Sequence, residues 1–312
     1  MTAFAFVFPG QGSQSVGMLD AWGAHPAVAA TLAEASAALG EDVAALIHEG
    51  PKEQLDLTTH TQPVMLAAGV ACYRAWMAET GLAPAFVAGH SLGEYSALVA
   101  AGVLTLADAL PLVRFRAQAM QEAVPVGIGA MAAILGLDSQ AVQAGCAEVA
   151  AASGEVVEAV NFNDPRQTVI AGTKAGVEQA CVALKAKGAK RALSLPVSAP
   201  FHSSLMKPAA ERLQARLATV ALGAPAIPVI NNVDVRIESD PARIRDALYR
   251  QAFGPVRWVE VVQALRAQGL THIVECGPGK VLAGMVKRID GDAVTATVSD
   301  PESLAEARAV LS

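Results

Sequence analysis

A serine between two glycines is the clearest candidate for chemistry in this chain. The segment Gly89-His90-Ser91-Leu92-Gly93 fits the pattern G-x-S-x-G, which holds a serine on a sharp turn between a strand and a helix. Glycines permit such a turn, and the N–H groups that open a helix favour a developing negative charge. A glycine-rich structural turn would carry the same letters. An apolar run precedes the segment and a helix-forming run follows it, so the context favours a nucleophilic Ser91.

A serine hydroxyl needs a base, and histidine is the usual base at neutral pH. His202 lies in a loop at residues 198–203, just before a predicted helix, where side chains often converge on a site. Taken alone, a loop histidine is commonly a solvated surface group. His90 lies inside the turn and is expected to point away, and His272 is expected to be buried in a strand. The other histidines, in helix-like or loop surroundings, are His25, His48 and His60.

Around these residues, strands alternate with helices, which predicts an α/β fold with a mostly parallel sheet. In the first half of the sequence, short apolar runs predict strands at residues 4–8 and 86–88. The last third predicts a helix at 204–217, a strand at 228–231, a helical stripe from Trp258 to Leu265, a strand at 272–275 and a helix at 281–288.

Between residues 127 and 196 the pattern changes. Strands are predicted at 131–135, 156–161, 168–171 and 191–195, with helices at 140–151 and 177–187. The order β-α-β-β-α-β is the ferredoxin-like pattern. We therefore predict a large catalytic domain of residues 1–126 and 197–312, into which a small ferredoxin-like domain of residues 127–196 is inserted.

Composition excludes several classes of protein. Of the 312 residues, 53% are hydrophobic and 17% charged, which is enough apolar material for a large core. The net charge of -6 argues against nucleic-acid binding. No membrane span and no secretory leader are predicted, and four scattered cysteines suit a reducing compartment, so a cytoplasmic protein without a metal site is expected.

Several further motifs occur together with the serine turn. In this combination and order, the chain resembles the malonyl-CoA:acyl carrier protein transacylase family over nearly its whole length. The motifs are Phe8-Pro9-Gly10-Gln11-Gly12-Ser13-Gln14, Gly89-His90-Ser91-Leu92-Gly93-Glu94-Tyr95, Gln121-Glu122-Ala123-Val124-Pro125, Gly129-Ala130-Met131, Asn161-Phe162-Asn163, Pro200-Phe201-His202-Ser203, Asn231-Asn232-Val233-Asp234 and Gly277-Pro278-Gly279-Lys280.

The resemblance implies an α/β-hydrolase-like large domain and a role for each matching residue. Ser91 would be the acylated nucleophile and His202 its base, later the acid for the leaving thiol. The backbone carbonyl of Gln251 would orient the histidine. The N–H groups of Gln11 and Leu92 would form the oxyanion hole.

A malonyl group differs from acetyl by a free carboxylate, which a guanidinium can hold by two parallel hydrogen bonds. Arg114 and Arg116 both lie in the relevant segment, and the family's arginine aligns with Arg116. Phe201, a bulky aromatic next to the base, is expected to narrow the substrate pocket and to disfavour a methyl branch on the malonyl group.

The expected partners are malonyl-CoA and an acyl carrier protein, with no cofactor and no nucleic acid; a monomer is assumed. The main alternative is a serine hydrolase or thioesterase, although such enzymes place their histidine late in the chain. A basic run at residues 185–191 is either a docking patch for an acidic carrier or a solvated helix end. Near-matches to dinucleotide and phosphate loops, at residues 10–15 and 274–281, lack required glycine and hydroxyl positions.

Overall fold

The structure is a computed structural model that describes residues 2–125, 127–197 and 199–312. Its strands are β1 (Phe4–Phe8), β2 (Phe86–Gly89), β3 (Gly129–Leu135), β4 (Val157–Asp164), β5 (Gln167–Thr173), β6 (Arg191–Ser194), β7 (Val229–Ile230), β8 (His272–Cys276) and β9 (Val294–Val298). Its α-helices are α1 (Pro26–Leu39), α2 (Val43–Glu49), α3 (Lys52–Leu55), α4 (Thr58–Thr80), α5 (Gly93–Ala100), α6 (Leu106–Glu122), α7 (Ser139–Ser153), α8 (Lys174–Ala186), α9 (Lys207–Leu217), α10 (Pro241–Gln251), α11 (Trp258–Ala267), α12 (Val281–Ile289) and α13 (Pro301–Leu311).

The larger sheet is parallel, with the strand order β7-β2-β1-β8-β9. Its central strand β1 is buried along its whole length. Alternate residues of β1 enter two different cores, Phe6 on one face and Val7 on the other. Both faces of the sheet are therefore covered, as parallel sheets require, and the predicted α/β class is confirmed.

The smaller sheet is antiparallel, with the order β4-β5-β3-β6. Helices α7 and α8 pack on it around a separate apolar cluster that includes Ile134 and Leu184. Two β-α-β halves interleaved in this order make the ferredoxin-like arrangement that the sequence predicts. The domain boundaries stay a prediction, and Val126 at one of them lies outside the described residues.

The carboxyl ends of the parallel strands bring the motif loops together. Phe8 at the end of β1 lies beside Gly89 at the end of β2, so the loop at residues 9–12 and the serine turn begin side by side. Strands β7 and β8 run parallel to β2 and β1, so the loops that follow them begin at the same edge of the sheet. Binding sites of open α/β sheets form at this edge.

Several elements differ from the sequence-based expectation, and two of these differences have a clear physical reason. The helix predicted at 204–217 is a 3₁₀ turn, Ser204–Met206, followed by α9. Pro208 lies in the first turn of α9, where its missing N–H costs nothing, so it marks a helix start rather than an interior. Helix α4 was not predicted, because buried residues occur on all its sides and leave no amphipathic period.

Candidate active site

The turn that carries Ser91 is a tight left-handed corner. Ser91 has a φ of 52°, a backbone angle that residues other than glycine rarely adopt. An added Cβ on Gly93 would lie 2.0 Å from the carbonyl oxygen of Phe8, and one on Gly10 would lie 2.5 Å from that of His90. The glycines are therefore required because the β1 loop and the serine turn pack backbone against backbone.

Asn232, in the loop after β7, holds this strained corner in place. Its Oδ1 accepts a hydrogen bond from the Ser91 N–H at 2.7 Å, and its Nδ2 donates to the Gly89 carbonyl at 2.7 Å. Asn232 is fully buried. A strained backbone persists when the surrounding structure fixes it in this way.

Ser91, His202 and Gln251 form a hydrogen-bonded chain. The Ser91 Oγ lies 2.7 Å from His202 Nε2, and His202 Nδ1 lies 2.9 Å from the backbone carbonyl oxygen of Gln251. A carbonyl can only accept, so Nδ1 carries the proton in the neutral ring and Nε2 is free to accept the serine proton. The carbonyl of Gln251 thus occupies the position that a carboxylate takes in a Ser-His-Asp triad.

His202 is neutral at physiological pH. Burial, together with the positive charge of Arg116, lowers its pKa to about 3. The ring is 5% exposed, so water stabilises an imidazolium poorly. The base form therefore persists well below the pH at which an ordinary histidine is protonated.

This low pKa predicts the pH dependence of Ser91 reactivity. Because His202 stays unprotonated as the pH falls through 6.5, the rate at which phenylmethylsulfonyl fluoride sulfonylates Ser91 should stay flat from pH 8 to about pH 5. The reagent is uncharged, so its rate reports the nucleophile and base rather than carboxylate binding. The inactivation rate is measured from the activity that remains in samples taken at successive times, with a correction for hydrolysis of the reagent. Burial raises the pKa of the neighbouring Glu94 carboxyl to about 7, so the same profile is measured on Glu94→Gln. A fall in rate with an apparent pKa near 6.5 in both proteins would contradict the prediction.

The two expected oxyanion donors lie at adjoining loops. The position of a Cβ on Gly10 is 3.8 Å from the Leu92 N, which places the Gln11 loop directly beside the start of α5. The Gln11 side chain is occupied elsewhere, since its Nε2 donates to Thr58 Oγ1 at 3.2 Å. Within the described residues, no hydrogen-bond acceptor is found for the N–H of Gln11 or of Leu92. Both N–H groups can therefore serve a ligand.

Arg116 projects from α6 into the site and is only 2% exposed. Its Nη1 donates to Gln62 Oε1 at 2.7 Å, while its Nη2 lies 3.1 Å from Gln251 Oε1 and 3.3 Å from Ser91 Oγ. The guanidinium carbon lies 5.6 Å from the centre of the Tyr95 ring. Its Nε has no partner among the described residues. A buried cation with an unused donor beside a nucleophile suits a substrate with a negative charge.

Arg114, the competing arginine, has a different role. Its guanidinium makes two hydrogen bonds to the carboxylate of Glu41, at 2.6 and 2.7 Å. This pair lies near the surface. The structure therefore brings Arg116, and not Arg114, to Ser91.

The cavity in front of Ser91 lies between the two sheets. Its volume is about 200 Å³, which suits a short acyl group rather than a long chain. Phe201, next to the base, is 9% exposed and lines it. His90 also lines the cavity, and its Nε2 lies 2.8 Å from Asn163 Oδ1 of the small sheet. The expectation that His90 points away from the site is therefore wrong. The cavity lining also includes the apolar residues Met120, Met131, Val169, Leu195, Val197, Val281, Leu282 and Met285.

Other candidates lie away from this site. His272 begins β8, at the amino edge of the sheet, and it is half-buried rather than buried. Ser198, part of the predicted histidine loop, lies outside the described residues. In the described part of the chain, no cluster of three or more metal-ligating side chains occurs. Among the same residues, no helix is long and apolar enough to cross a membrane.

Sequence reasoning assigned no role to several polar residues that complete the site. They are Gln62, Glu94, Asn163 and Asn232, all buried. Gln62 and Glu94 carried a signal, because each is a polar residue within a largely apolar helix. The asparagines belong to two of the motifs that carry the family resemblance, but their partners lie about seventy and more than one hundred residues away along the chain.

A serine turn with a histidine partner, at the carboxyl edge of a parallel sheet, defines a serine enzyme of the α/β-hydrolase type. Comparison with known proteins narrows this class. The acyl transferase domain model matches residues 5–298. The malonyl CoA-acyl carrier protein transacylase of Escherichia coli K12 is 56% identical over 308 residues, covering 98% of this chain and 99% of the relative. The chain therefore belongs to the malonyl CoA-acyl carrier protein transacylase family.

Solved structures agree with this membership. The acyl-carrier-protein S-malonyltransferase of Burkholderia pseudomallei is 66% identical, with a TM-score of 0.96 over 98% of this chain and 99% of that one. A malonyl-transacylase in complex with a type II PKS acyl-carrier protein is 52% identical, with the same TM-score and coverage. Both support the two-sheet fold as a whole.

Proposed function

We propose that this protein transfers the malonyl group of malonyl-CoA to the phosphopantetheine thiol of an acyl carrier protein, through a malonyl ester on Ser91. The transfer supplies the extender unit for fatty acid biosynthesis. Family membership supports the reaction. The observation that carries the choice of malonyl is the buried Arg116, 3.3 Å from the Ser91 hydroxyl.

The first half-reaction acylates Ser91. The Oγ attacks the thioester carbonyl while His202 Nε2 takes the hydroxyl proton. The carbonyl oxygen becomes an oxyanion, which accepts hydrogen bonds from the N–H groups of Gln11 and Leu92. The carbon–sulfur bond then breaks, and protonated His202 gives its proton to the departing sulfur, so CoA leaves as a thiol. Throughout, the Gln251 carbonyl keeps the imidazole in its Nδ1–H form.

The second half-reaction runs the same steps with a different thiol. The carrier's phosphopantetheine thiol gives its proton to His202 and attacks the malonyl ester. The oxyanion forms again in the same place, and Ser91 leaves with the proton. Arg116 holds the malonyl carboxylate in both halves, so the carbonyl stays in line with the incoming nucleophile, first the Ser91 oxygen and then the carrier sulfur.

A transfer assay separates this function from a thioesterase. Malonyl-CoA is mixed with enzyme and either the phosphopantetheinylated carrier or the same carrier without its arm, and carrier mass and free malonate are followed. We expect the malonyl group to accumulate only on the phosphopantetheinylated carrier, with little free malonate. Free malonate in both mixtures, with no malonyl carrier, would establish hydrolysis instead.

Phe201 is proposed to limit branching next to the malonyl carbonyl. Its ring lines a small cavity beside His202, so a methyl group on the α-carbon would compete with it for space. We expect Phe201→Ala to raise kcat/KM for methylmalonyl-CoA relative to malonyl-CoA by about tenfold, the effect of a methyl-sized change in packing. Competition between the two substrates measures the ratio. An unchanged ratio would refute the role.

Carrier docking, compartment, oligomeric state and cofactor requirement stay predictions. Within the basic run, Lys187 pairs with Glu148 at 2.8 Å, which leaves less free charge there for an acidic carrier. A cytoplasmic location is supported by the four cysteines, which are unpaired thiols. The proposed steps use side-chain and backbone groups alone, and the chain is expected to act as a monomer without a cofactor.

A further inference from the structure

Glu94 carries a buried carboxylate close to the turn that holds the nucleophile. It lies in the first turn of α5, three residues after Ser91, and is 2% exposed. Its Oε2 accepts hydrogen bonds from the Asn232 N–H at 2.9 Å and from Gln251 Nε2 at 3.0 Å. A buried carboxylate is costly unless it is compensated, so its position calls for a reason.

The Gln251 side chain connects Glu94 to the reacting groups. Its Nε2 donates both to Glu94 and to the Ser91 carbonyl, at 3.0 Å each, while its Oε1 accepts from Arg116 Nη2 at 3.1 Å. An ionised carboxylate and a carbonyl only accept, and a guanidinium only donates. A flipped amide would place like groups together at all three contacts. Glu94 therefore helps to fix one orientation of Gln251.

Glu94 also balances the charge of Arg116. No carboxylate of the described residues forms an ion pair with Arg116, whose close polar partners are amide and hydroxyl oxygens. The side-chain amide of Gln251 lies between Glu94 and Arg116 and forms a hydrogen bond with each of them. Burial lowers the pKa of Arg116, and the charge of Glu94 is among the influences that raise it again. The two charges interact in a region of low dielectric, where a third charge would be felt strongly.

We propose that Glu94 is a positioning residue whose carboxylate fixes the Gln251 amide and supplies the counter-charge that limits how tightly Arg116 holds the substrate's carboxylate. This inference rests on the proposed function. A malonyl group on Ser91 would place a second negative charge near the same guanidinium. The resulting repulsion weakens the hold on the acyl group, which favours its onward transfer to the carrier.

Glu94→Gln removes the charge and keeps the shape. The amide oxygen of the new side chain can still accept from Asn232 and Gln251. For the equilibrium between malonyl-CoA and malonyl-Ser91, we expect a shift toward the acyl-enzyme of about tenfold, the effect of roughly one pKa unit of charge interaction. The equilibrium with acetyl-CoA should change less than about twofold, because acetyl has no carboxylate for Arg116 to hold.

Both equilibria can be measured with radiolabelled acyl groups at a series of acyl-CoA to CoA ratios. Burial raises the pKa of Glu94 to about 7, so the measurement is made at pH 8, where the carboxylate is ionised. Ser96→Ala is the matched control: Ser96 is buried in the same helix, and no hydrogen-bond partner is found for its Oγ among the described residues. It should shift neither equilibrium.

The outcomes are distinguishable. A shift in the malonyl equilibrium alone supports the proposal, whereas equal shifts for both acyl groups, or no shift, overturn it. If Glu94→Gln does not fold, Glu94→Asp keeps the charge and should keep the malonyl-to-acetyl ratio of equilibria within about twofold of wild type. A larger change in that ratio would also overturn the proposal. Absence of malonyl ester on the wild-type protein would refute the proposed function itself.

Discussion

Replacing His202 by alanine should lower kcat/KM for malonyl transfer by about 10³- to 10⁵-fold. His202 Nε2 is 2.7 Å from the Ser91 Oγ, and its neutral ring is ready to accept the proton. Without it, the serine must attack as a neutral hydroxyl. Because the two residues act as one unit, Ser91→Ala with His202→Ala should cost no more than Ser91→Ala alone. Initial rates of malonyl-carrier formation measure both effects.

The matched control for this loss is His272→Ala. His272 begins β8 at the opposite edge of the sheet, and its Nδ1 contacts the neighbouring Thr271 hydroxyl. Its replacement should leave kcat/KM within about twofold of wild type, as expected of a substitution outside the site. Thermal unfolding shows whether each variant is folded. A His202→Ala enzyme that is folded and retains a tenth or more of the activity would contradict the assignment of the base.

Arg116→Ala should lower kcat/KM for malonyl-CoA by about 10²- to 10³-fold, the effect of losing a buried charge-assisted pair. Acetyl-CoA has no carboxylate, so its kcat/KM should change much less and the preference for malonyl should largely disappear. Arg116→Lys should recover part of the malonyl activity, because lysine supplies charge without the planar pair of donors. Competition between malonyl-CoA and acetyl-CoA gives the preference directly.

Arg114→Ala is the control for Arg116. It removes a near-surface pair with Glu41, so a loss of stability of up to about 1 kcal/mol and no change in acyl preference are expected. If Arg116→Ala lowered malonyl and acetyl transfer equally, the arginine would serve the structure of the site and not the recognition of a carboxylate.

The parts of the fold with a clear period or a sharp boundary were predictable from the sequence. The strands before Pro9 and Gly89 are short apolar runs that end at glycine or proline, and their parallel pairing places both loops at one edge. The ferredoxin-like order also followed from alternating short elements. Burial on all sides removes the periodic signal, which is why α4 was missed.

Much less of the site could be predicted. Ser91 was identified from local pattern and context, because the turn is encoded by neighbouring glycines. The residues around His202 do not identify it as the base, because its partner Ser91 lies 111 positions away in the chain. Only the family resemblance distinguishes it from the other histidines. The hydrogen bonds of Glu94, Gln251 and Asn232 join residues more than one hundred positions apart. No spacing rule describes such a network, so only the folded structure reveals it.

The central claim is that Ser91 carries the malonyl group between two thiols. Intact-mass spectrometry tests it on wild-type protein and Ser91→Ala, first with malonyl-CoA and then after addition of a phosphopantetheinylated carrier. We predict one malonyl adduct on the wild type alone, mapped to Ser91 and lost as the carrier gains the same mass. No adduct on the wild type, or an equal adduct on Ser91→Ala, would contradict the claim.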